Sequence, residues 1–228
     1  KELGFVYYWQ NEKIEFSESA KMLLNKEKPE NEQMVFANAF AKYLRNNPFR
    51  RVLNNNTPLV LLLQVIQLLN SDEDFNGAGI SRIEIPILLC WQNNNANLLY
   101  KKIKKLRKDF GYSPSSEVIL DICYNLIDDT KRDDTSILVD YPDDFIRKMR
   151  LTGLITLRGA GRFIDINTKE IETVKYILQA YSLEKQFETE REFYNYISIV
   201  DIELISKLSI YIAPVRTSNK KLEKWVEY

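Results

Sequence analysis

Two stretches of this sequence carry the same layout, and a chain built around a repeated unit has few architectures open to it. The first is LGFVYYWQNEKIEFSESAKMLL, Leu3 to Leu24, and the second is LTGLITLRGAGRFIDINTKEIETVKYIL, Leu151 to Leu178. Each opens on a glycine (Gly4, Gly153), alternates like a strand, reverses, returns through IEF or IDI, and reaches a residue suited to cap a helix, Ser17 or Asn167. The distance from glycine to second strand differs by one residue, which the turns Gln10 to Lys13 and Gly159 to Gly161 absorb. On this reading Lys1 to Leu3 are the stub of a helix preceding the first copy, and the natural protein extends upstream.

The second copy is the fuller one. YPDDFIRKMRLTG spaces Phe145, Ile146, Met149 and Leu151 as a short amphipathic helix, and Gly153 is placed to stop it. Leu154 to Arg158 then alternates, and Gly159, Ala160 and Gly161 permit a tight reversal. RFIDIN follows with Phe163 and Asp165 on one side and Ile164 and Ile166 on the other. Asn167 or Thr168 caps the next helix, with Glu170 completing a capping box if Asn167 is the cap, and Ile171, Val174, Ile177 and Leu178 form its buried stripe. Helix, glycine, strand, tip and strand are the closing half of a winged helix, the helix-turn-helix variant with a hairpin beside its recognition helix.

The remaining segments supply helices. TPLVLLLQVIQLLN begins one at Pro58, too short and too marked by Gln64 and Gln67 to span a membrane. GISRIEIPILLCW begins another after Gly79, with Ser81 as cap, Glu84 three positions on, and Pro86 in the first turn. ANLLYKKIKKLRKDF aligns Leu99, Ile103 and Leu106, and Ser116 to Ile127 is apolar-periodic. FETEREFYNYISIV and IELISKLSIYIA read as a closing helical layer, the second with a strand as an alternative ending, before a polar tail, PVRTSNKKLEKWVEY. The fold class expected is mainly α with small β-hairpins, as tandem winged-helix subdomains. Residues 1–56 hold a partial first subdomain (wing 4–16 plus helices), 57–182 the second (wing 153–167), and 183–228 the closing layer and the start of a linker.

Thirty-two basic and thirty-two acidic residues cancel, so nucleic-acid binding requires cations gathered on one face. KKIKKLRK places Lys101, Lys102, Lys104, Lys105, Arg107 and Lys108 around Ile103 and Leu106, so most of the charge is expected on one exposed helix face, though a merely solvated lysine-rich face explains it equally well. Arg147, Lys148 and Arg150 before the glycine, and Arg158 and Arg162 around the wing, stand where a winged helix meets DNA. The aromatics Phe5, Tyr7, Tyr8, Trp9 and Phe16 suit base stacking, but strands favour aromatics for packing and core is expected. The tracts Asn54 to Asn56 and Asn93 to Asn95 read as turns, and Cys90 and Cys123 as buried reduced thiols.

Histidine is absent, which removes histidine triads and histidine metal motifs. A magnesium nuclease needs PD followed by D/E-x-K on a strand. Pro142-Asp143 and Asp129-Thr130-Lys131 occur in the reverse order, DDTKRDD has the composition of a solvated loop, and Gly159 to Gly161 lead into a strand rather than a phosphate-binding helix. No catalytic or metal-binding residue is assigned.

In order, LGFVYY, KIEFSESAKMLLN, NNNTPLVLLLQVIQLLN, GISRIEIPILLCWQNNN and IRKMRLTGLITLRGAGRFIDIN resemble the amino-terminal recognition region of AlwI-type restriction endonucleases, a family with strand-specific nicking relatives. The resemblance implies winged-helix subdomains that recognise a short asymmetric duplex, type IIS fashion. A separate PD-(D/E)xK domain, absent from this chain, cuts nearby with Mg2+. Double-stranded DNA is the implied partner of a monomeric recognition unit, with room for a second nuclease subunit, in a prokaryotic cytoplasm and without a membrane segment. The rival reading is a winged-helix transcriptional regulator or protein-interaction module, which the fold alone does not separate from the first.

Overall fold

The computed structural model describes residues 1–9, 13–52, 54–75, 77–127, 135–183 and 185–209. The DDTKRDD run from 128 to 134, the tip residues 10–12 and the polar tail lie outside the described residues.

The amino-terminal hairpin is short: β1 (Val6–Tyr7) pairs antiparallel with β2 (Glu15–Phe16). Ser17 caps α1 (Glu18–Leu24) by accepting the Ala20 N–H at 3.1 Å, as expected. A helix the sequence reading did not single out follows, α2 (Glu30–Lys42), whose Ala37, Ala39 and Ala41 are buried. Next comes α3 (Pro58–Asn70), almost wholly buried.

The segment after Gly79 differs from expectation. Ile80–Ser81 is a strand, β3, and Arg82–Glu84 a 3-10 turn, so α4 is only Ile85–Cys90. The expected Ser81–Glu84 capping box is present, closing the turn, and Ser81 N–H donates to Glu84 Oε2 at 2.7 Å. Two long helices follow, α5 (Ala96–Phe110) and α6 (Ser116–Ile127). Then come α7 (Asp140–Arg150), β4 (Ile155–Arg158), β5 (Phe163–Ile166) and α8 (Ile171–Tyr181). The closing layer is α9 (Glu190–Ser198) and α10 (Ile202–Lys207).

The protein is therefore mainly helical with small antiparallel sheets. The second sheet has the order β3-β5-β4, with Ile80 opposite Ile164 and Arg158 opposite Phe163. Gly79 admits this pairing because a β-carbon there would collide with the Ile164 carbonyl oxygen. The wing turn runs through Gly159, Ala160 and Gly161 at φ 59°, 56° and 86°, a left-handed path that glycine follows without strain. One apolar cluster joins Ala37 on α2 to α3 through α8 and to Leu204 and Leu208, and a smaller one gathers Leu44, Phe193 and Ile197.

The repeat extends to single hydrogen bonds. The Phe5 carbonyl, one residue past Gly4, accepts from Ser17 N–H at 3.0 Å, and the Leu154 carbonyl, one past Gly153, accepts from Asn167 N–H at 2.8 Å. Both glycines have φ of 73°. In each copy this bond ties the hairpin's entry to the cap of the helix after it.

Other expectations fail locally. Tyr8, Trp9 and Phe16 are 46%, 57% and 52% exposed instead of core, because a two-residue ladder has only one face to pack, and Ile14 beside them is 56% exposed; Phe5 meets Phe36 edge-on and Tyr7 meets Tyr194. Asn167 is the cap, accepting from Lys169 N–H. Glu170 forms no box with it. That carboxylate accepts from Thr173 Oγ1 and Ser209 N–H, tying α8 to the segment after α10. Leu151 and Ile171 are exposed because each sits at a helix end where the buried stripe has already turned away. The two Asn tracts are turns braced on each other: Asn54 and Asn56 donate to the Trp91 carbonyl, and Asn94 Oδ1 accepts from Thr57 N–H. Cys90 and Cys123 are buried free thiols. Among the described residues, no helix is long and apolar enough to cross a membrane.

Candidate nucleic-acid interface

The α7 helix buries Pro142, Phe145, Ile146 and Met149, which leaves Arg147, Lys148 and Arg150 on its solvent side. Asp144 collects two of these cations, accepting from Arg147 at 2.7 Å and pairing with Lys148. The Lys148 ammonium, ahead of Arg147, holds the Asp144 carboxyl below the usual carboxylate range. Asp143 pairs with Arg82, a residue the sequence reading did not select, which joins the turn after β3 to α7. Arg150 is exposed and has no ion-pair partner among the described residues. The helix ends at Arg150, and beyond it the Thr152 hydroxyl donates to the Met149 carbonyl at 2.6 Å and accepts from Leu154 N–H, directing the chain into β4.

At the wing the two arginines part company. Arg158 donates to the Gly77 carbonyl at 2.6 Å and pairs with Asp165, whose carboxylate also accepts from Asn70 Nδ2 at 2.7 Å. Its guanidinium is thus drawn back onto α3 and the loop before β3. Arg162 is exposed, its side chain unpaired among the described residues, while its carbonyl accepts from Arg82 N–H at 2.8 Å.

The basic run on α5 is likewise divided, and the expectation of one exposed face holds only in part. Arg107 is buried: Nε and Nη2 both reach Glu84 at 2.7 Å, and Nη2 also reaches the Gly79 carbonyl. Lys104 pairs with Asp72 at 2.7 Å and Asp74 at 3.0 Å, and Lys108 pairs with Asp74 at 3.2 Å. Hydrogen bonds from Lys104 and then Tyr100 pull the Asp72 pKa down to about 2. Lys101, Lys102 and Lys105 remain, exposed and unpaired among the described residues, on the outer side of the helix with Leu98. Of the ten residues expected to meet DNA, those open to a polyanion are therefore Lys101, Lys102, Lys105, Arg150 and Arg162. Lys104, Lys108, Arg147, Lys148 and Arg158 each carry an acid partner.

No described group of three or more histidine, cysteine or carboxylate side chains is arranged to hold a metal ion. Asp143, Asp144, Asp72 and Asp74 are each engaged by lysine or arginine.

These features define a mainly helical protein with a small three-stranded antiparallel sheet and exposed cations on α5, at the end of α7 and at the turn between β4 and β5. The chain belongs to the AlwI restriction endonuclease family, whose model matches residues 1–222. Among solved structures it is similar to the BpuJ1 endonuclease binding domain, crystallised in complex with pyrene- and phenanthrene-modified DNA. The two share 16% identity at a TM-score of 0.59, over 87% of this chain and 74% of that one, which establishes a common fold. No curated protein matches the chain.

Proposed function

We propose that this chain is the sequence-specific, double-stranded DNA recognition part of a type IIS-like restriction or nicking endonuclease, built as tandem winged helices. The observation that carries the reading is the path α7, Gly153, β4, tight turn, β5 with the sheet order β3-β5-β4, which supports a winged-helix reading. On that reading the exposed Arg150 stands at the end of the recognition helix and the exposed Arg162 on the wing. The family and the DNA-bound structural relative support the same reading. In mechanism, exposed lysines and arginines hold phosphates and fix register, while the solvent side of α7 lies in a groove. Two unlike copies in one chain suit a monomer on an asymmetric site, in a prokaryotic cytoplasm. Cutting, with its Mg2+, belongs to a separate PD-(D/E)xK domain; the reversed order of the PD and DTK letters in this sequence supports assigning it elsewhere.

The test is selection of this chain against a randomised duplex pool, followed by affinity measurements across a salt series. One enriched asymmetric sequence, with affinity falling steeply as salt rises, is expected. Equal affinity for all duplexes, or none for any, would sink the proposal. A protein-interaction reading has one observation in its favour, the exposed Tyr8, Trp9, Ile14 and Phe16 of the first hairpin. It would be preferred if no duplex is enriched.

A further inference from the structure

A cleft of about 840 Å³ lies between the second half of α3, the turn that leads into α5 and the end of α8. Small-molecule sites occupy volumes of about 300–1,000 Å³. The walls are uncharged: Gln64, Gln67, Asn94, Asn95 and Asn97 bring carboxamides to the cleft, and no lysine, arginine, aspartate or glutamate is among the described residues that line it.

Nearby amides are consumed by the fold. Asn54 and Asn56 donate to the Trp91 carbonyl, and Asn93 Oδ1 accepts from Asn95 N–H at 2.9 Å. Those of the cleft are consumed only in part. Asn94 Oδ1 accepts from Thr57 N–H at 2.8 Å and Asn95 Oδ1 from Leu98 N–H at 3.0 Å, which leaves the NH2 group of each amide over. Gln64 donates to Ser182 Oγ at 3.3 Å, bridging α3 to the end of α8, and keeps its carbonyl oxygen. The side chains of Gln67 and Asn97 have no partner among the described residues, and both residues are exposed, so a ligand can reach them.

Two further observations narrow the ligand. Leu68, Ala96 and the exposed Leu183 give the same cleft an apolar part, so it suits a group with a polar edge and apolar faces. A nucleobase is such a group, and a carboxamide matches its edge by offering donor and acceptor side by side. Lys101 stands one helical turn beyond Asn97, about 6 Å along α5 and on the same face, exposed and unpaired among the described residues. A neutral cleft with a free cation one turn outside it has the polarity of a nucleotide, base at one end and phosphate at the other.

We propose that this cleft is a nucleotide site, in which Gln67 and Asn97 take the edge of one base, the NH2 groups of Asn94 and Asn95 supply further donors, and Lys101 holds the phosphate. A base must be unstacked to enter, so the source is a free mononucleotide or an unpaired nucleotide of DNA. Only the DNA source rests on the DNA-recognition reading.

Melting of the chain with added mononucleotide decides the site. Deoxyadenosine monophosphate is expected to raise Tm, deoxyadenosine to raise it less, and deoxyribose 5-phosphate to leave it unchanged. Q67A and N97A, both exposed changes, are expected to abolish the rise, and K101Q to reduce the effect of the nucleotide to that of the nucleoside. No rise with the mononucleotide, an equal rise with the base-free sugar phosphate, or a rise untouched by Q67A and N97A overturns the proposal. A second arm identifies the source by comparing affinity for a duplex carrying one unpaired deoxyadenosine with affinity for the same duplex fully paired. A several-fold preference for the bulged duplex, lost in Q67A and N97A, supports DNA as the source. Equal affinity for the two duplexes with the Tm rise intact supports free nucleotide. A wild-type chain that binds neither duplex removes the DNA-recognition reading alone, since the melting arm still decides the cleft.

Discussion

Arg107 and Glu84 meet as a two-pronged ion pair at 2.7 Å with both side chains all but excluded from solvent, locking α5 to the turn that follows β3. The guanidinium also holds the Ala78 and Gly79 carbonyls and lies 4.9 Å from the rings of Phe75 and Tyr112. Tyr112 in turn packs edge-on against Phe163 of β5. Removing one member of such a pair strands a buried charge, so R107M is expected to lose about 3–5 kcal/mol of stability in urea unfolding. The double variant E84L/R107M is expected to lose clearly less than the sum of the two single changes, a coupling of about 2–3 kcal/mol. Additive losses would show that the two groups are independent.

Lys42 gives a pH signature of a different kind. Burial, set against the attraction of Asp201, lowers its pKa from the ordinary 10.5 to about 8. Between those values the unfolded chain holds the proton and the folded chain does not, so stability from this group rises with pH over roughly 8 to 10.5. K42M is expected to be on the order of 1–3 kcal/mol more stable near pH 7 and to lack that rise. The Ile199 carbonyl keeps its bond from Asn38 Nδ2 in the variant. Tyr176, raised to about 12 by burial and then by its bond to Asp201, acts oppositely above pH 10, so the comparison belongs between pH 7 and 10. Identical pH profiles for the two proteins would contradict the assignment.

What the sequence disclosed was local. The repeat of glycine, hairpin and cap, the Ser81–Glu84 box and the Pro58 helix start are set by residues within a few positions of one another. Helix α2 was not legible because Ala37, Asn38, Ala39, Phe40 and Ala41 are buried consecutively, which erases the 3.6-residue stripe. Strand β3 was not legible because two residues cannot display a period of two. The same limit divided the candidate site. Spacing marked the basic residues of α5, α7 and β4, but whether Arg107, Lys104 and Arg158 were free depended on acids brought in from elsewhere: Glu84 for Arg107, Asp72 for Lys104 and Asp165 for Arg158.

Gly79 tests the sheet that carries the wing. G79A would press a methyl group onto the Ile164 carbonyl, a backbone atom that cannot swing aside, and would disturb the carbonyl that Arg107 holds. A loss of about 1–3 kcal/mol is expected, with faster amide exchange at Ile164 and its neighbours. Wild-type stability and exchange in the variant would mean that β3 and β5 are not joined there.

The two wing arginines should answer differently to the same substitution, which makes them a test of the proposed interface and not only of the fold. Arg158 is committed to Asp165 and the Gly77 carbonyl, so R158A is expected to act first on stability, by about 1–2 kcal/mol, because it leaves a largely buried carboxylate without its cation, held by the Asn70 amide and the Ile166 N–H alone. Arg162 touches no acid among the described residues and is exposed, so R162A is expected to leave the unfolding curve within about 0.5 kcal/mol of wild type. If the β4–β5 hairpin lies on DNA, as the proposed function has it, R162A removes one phosphate contact, and the log–log salt slope of duplex binding should flatten by about 0.9. Should both variants bind duplex with wild-type affinity and slope while only R158A is destabilised, the hairpin is a structural element and the interface lies elsewhere on the protein. Weaker binding confined to R162A, with the fold intact, supports the hairpin lying against the phosphates.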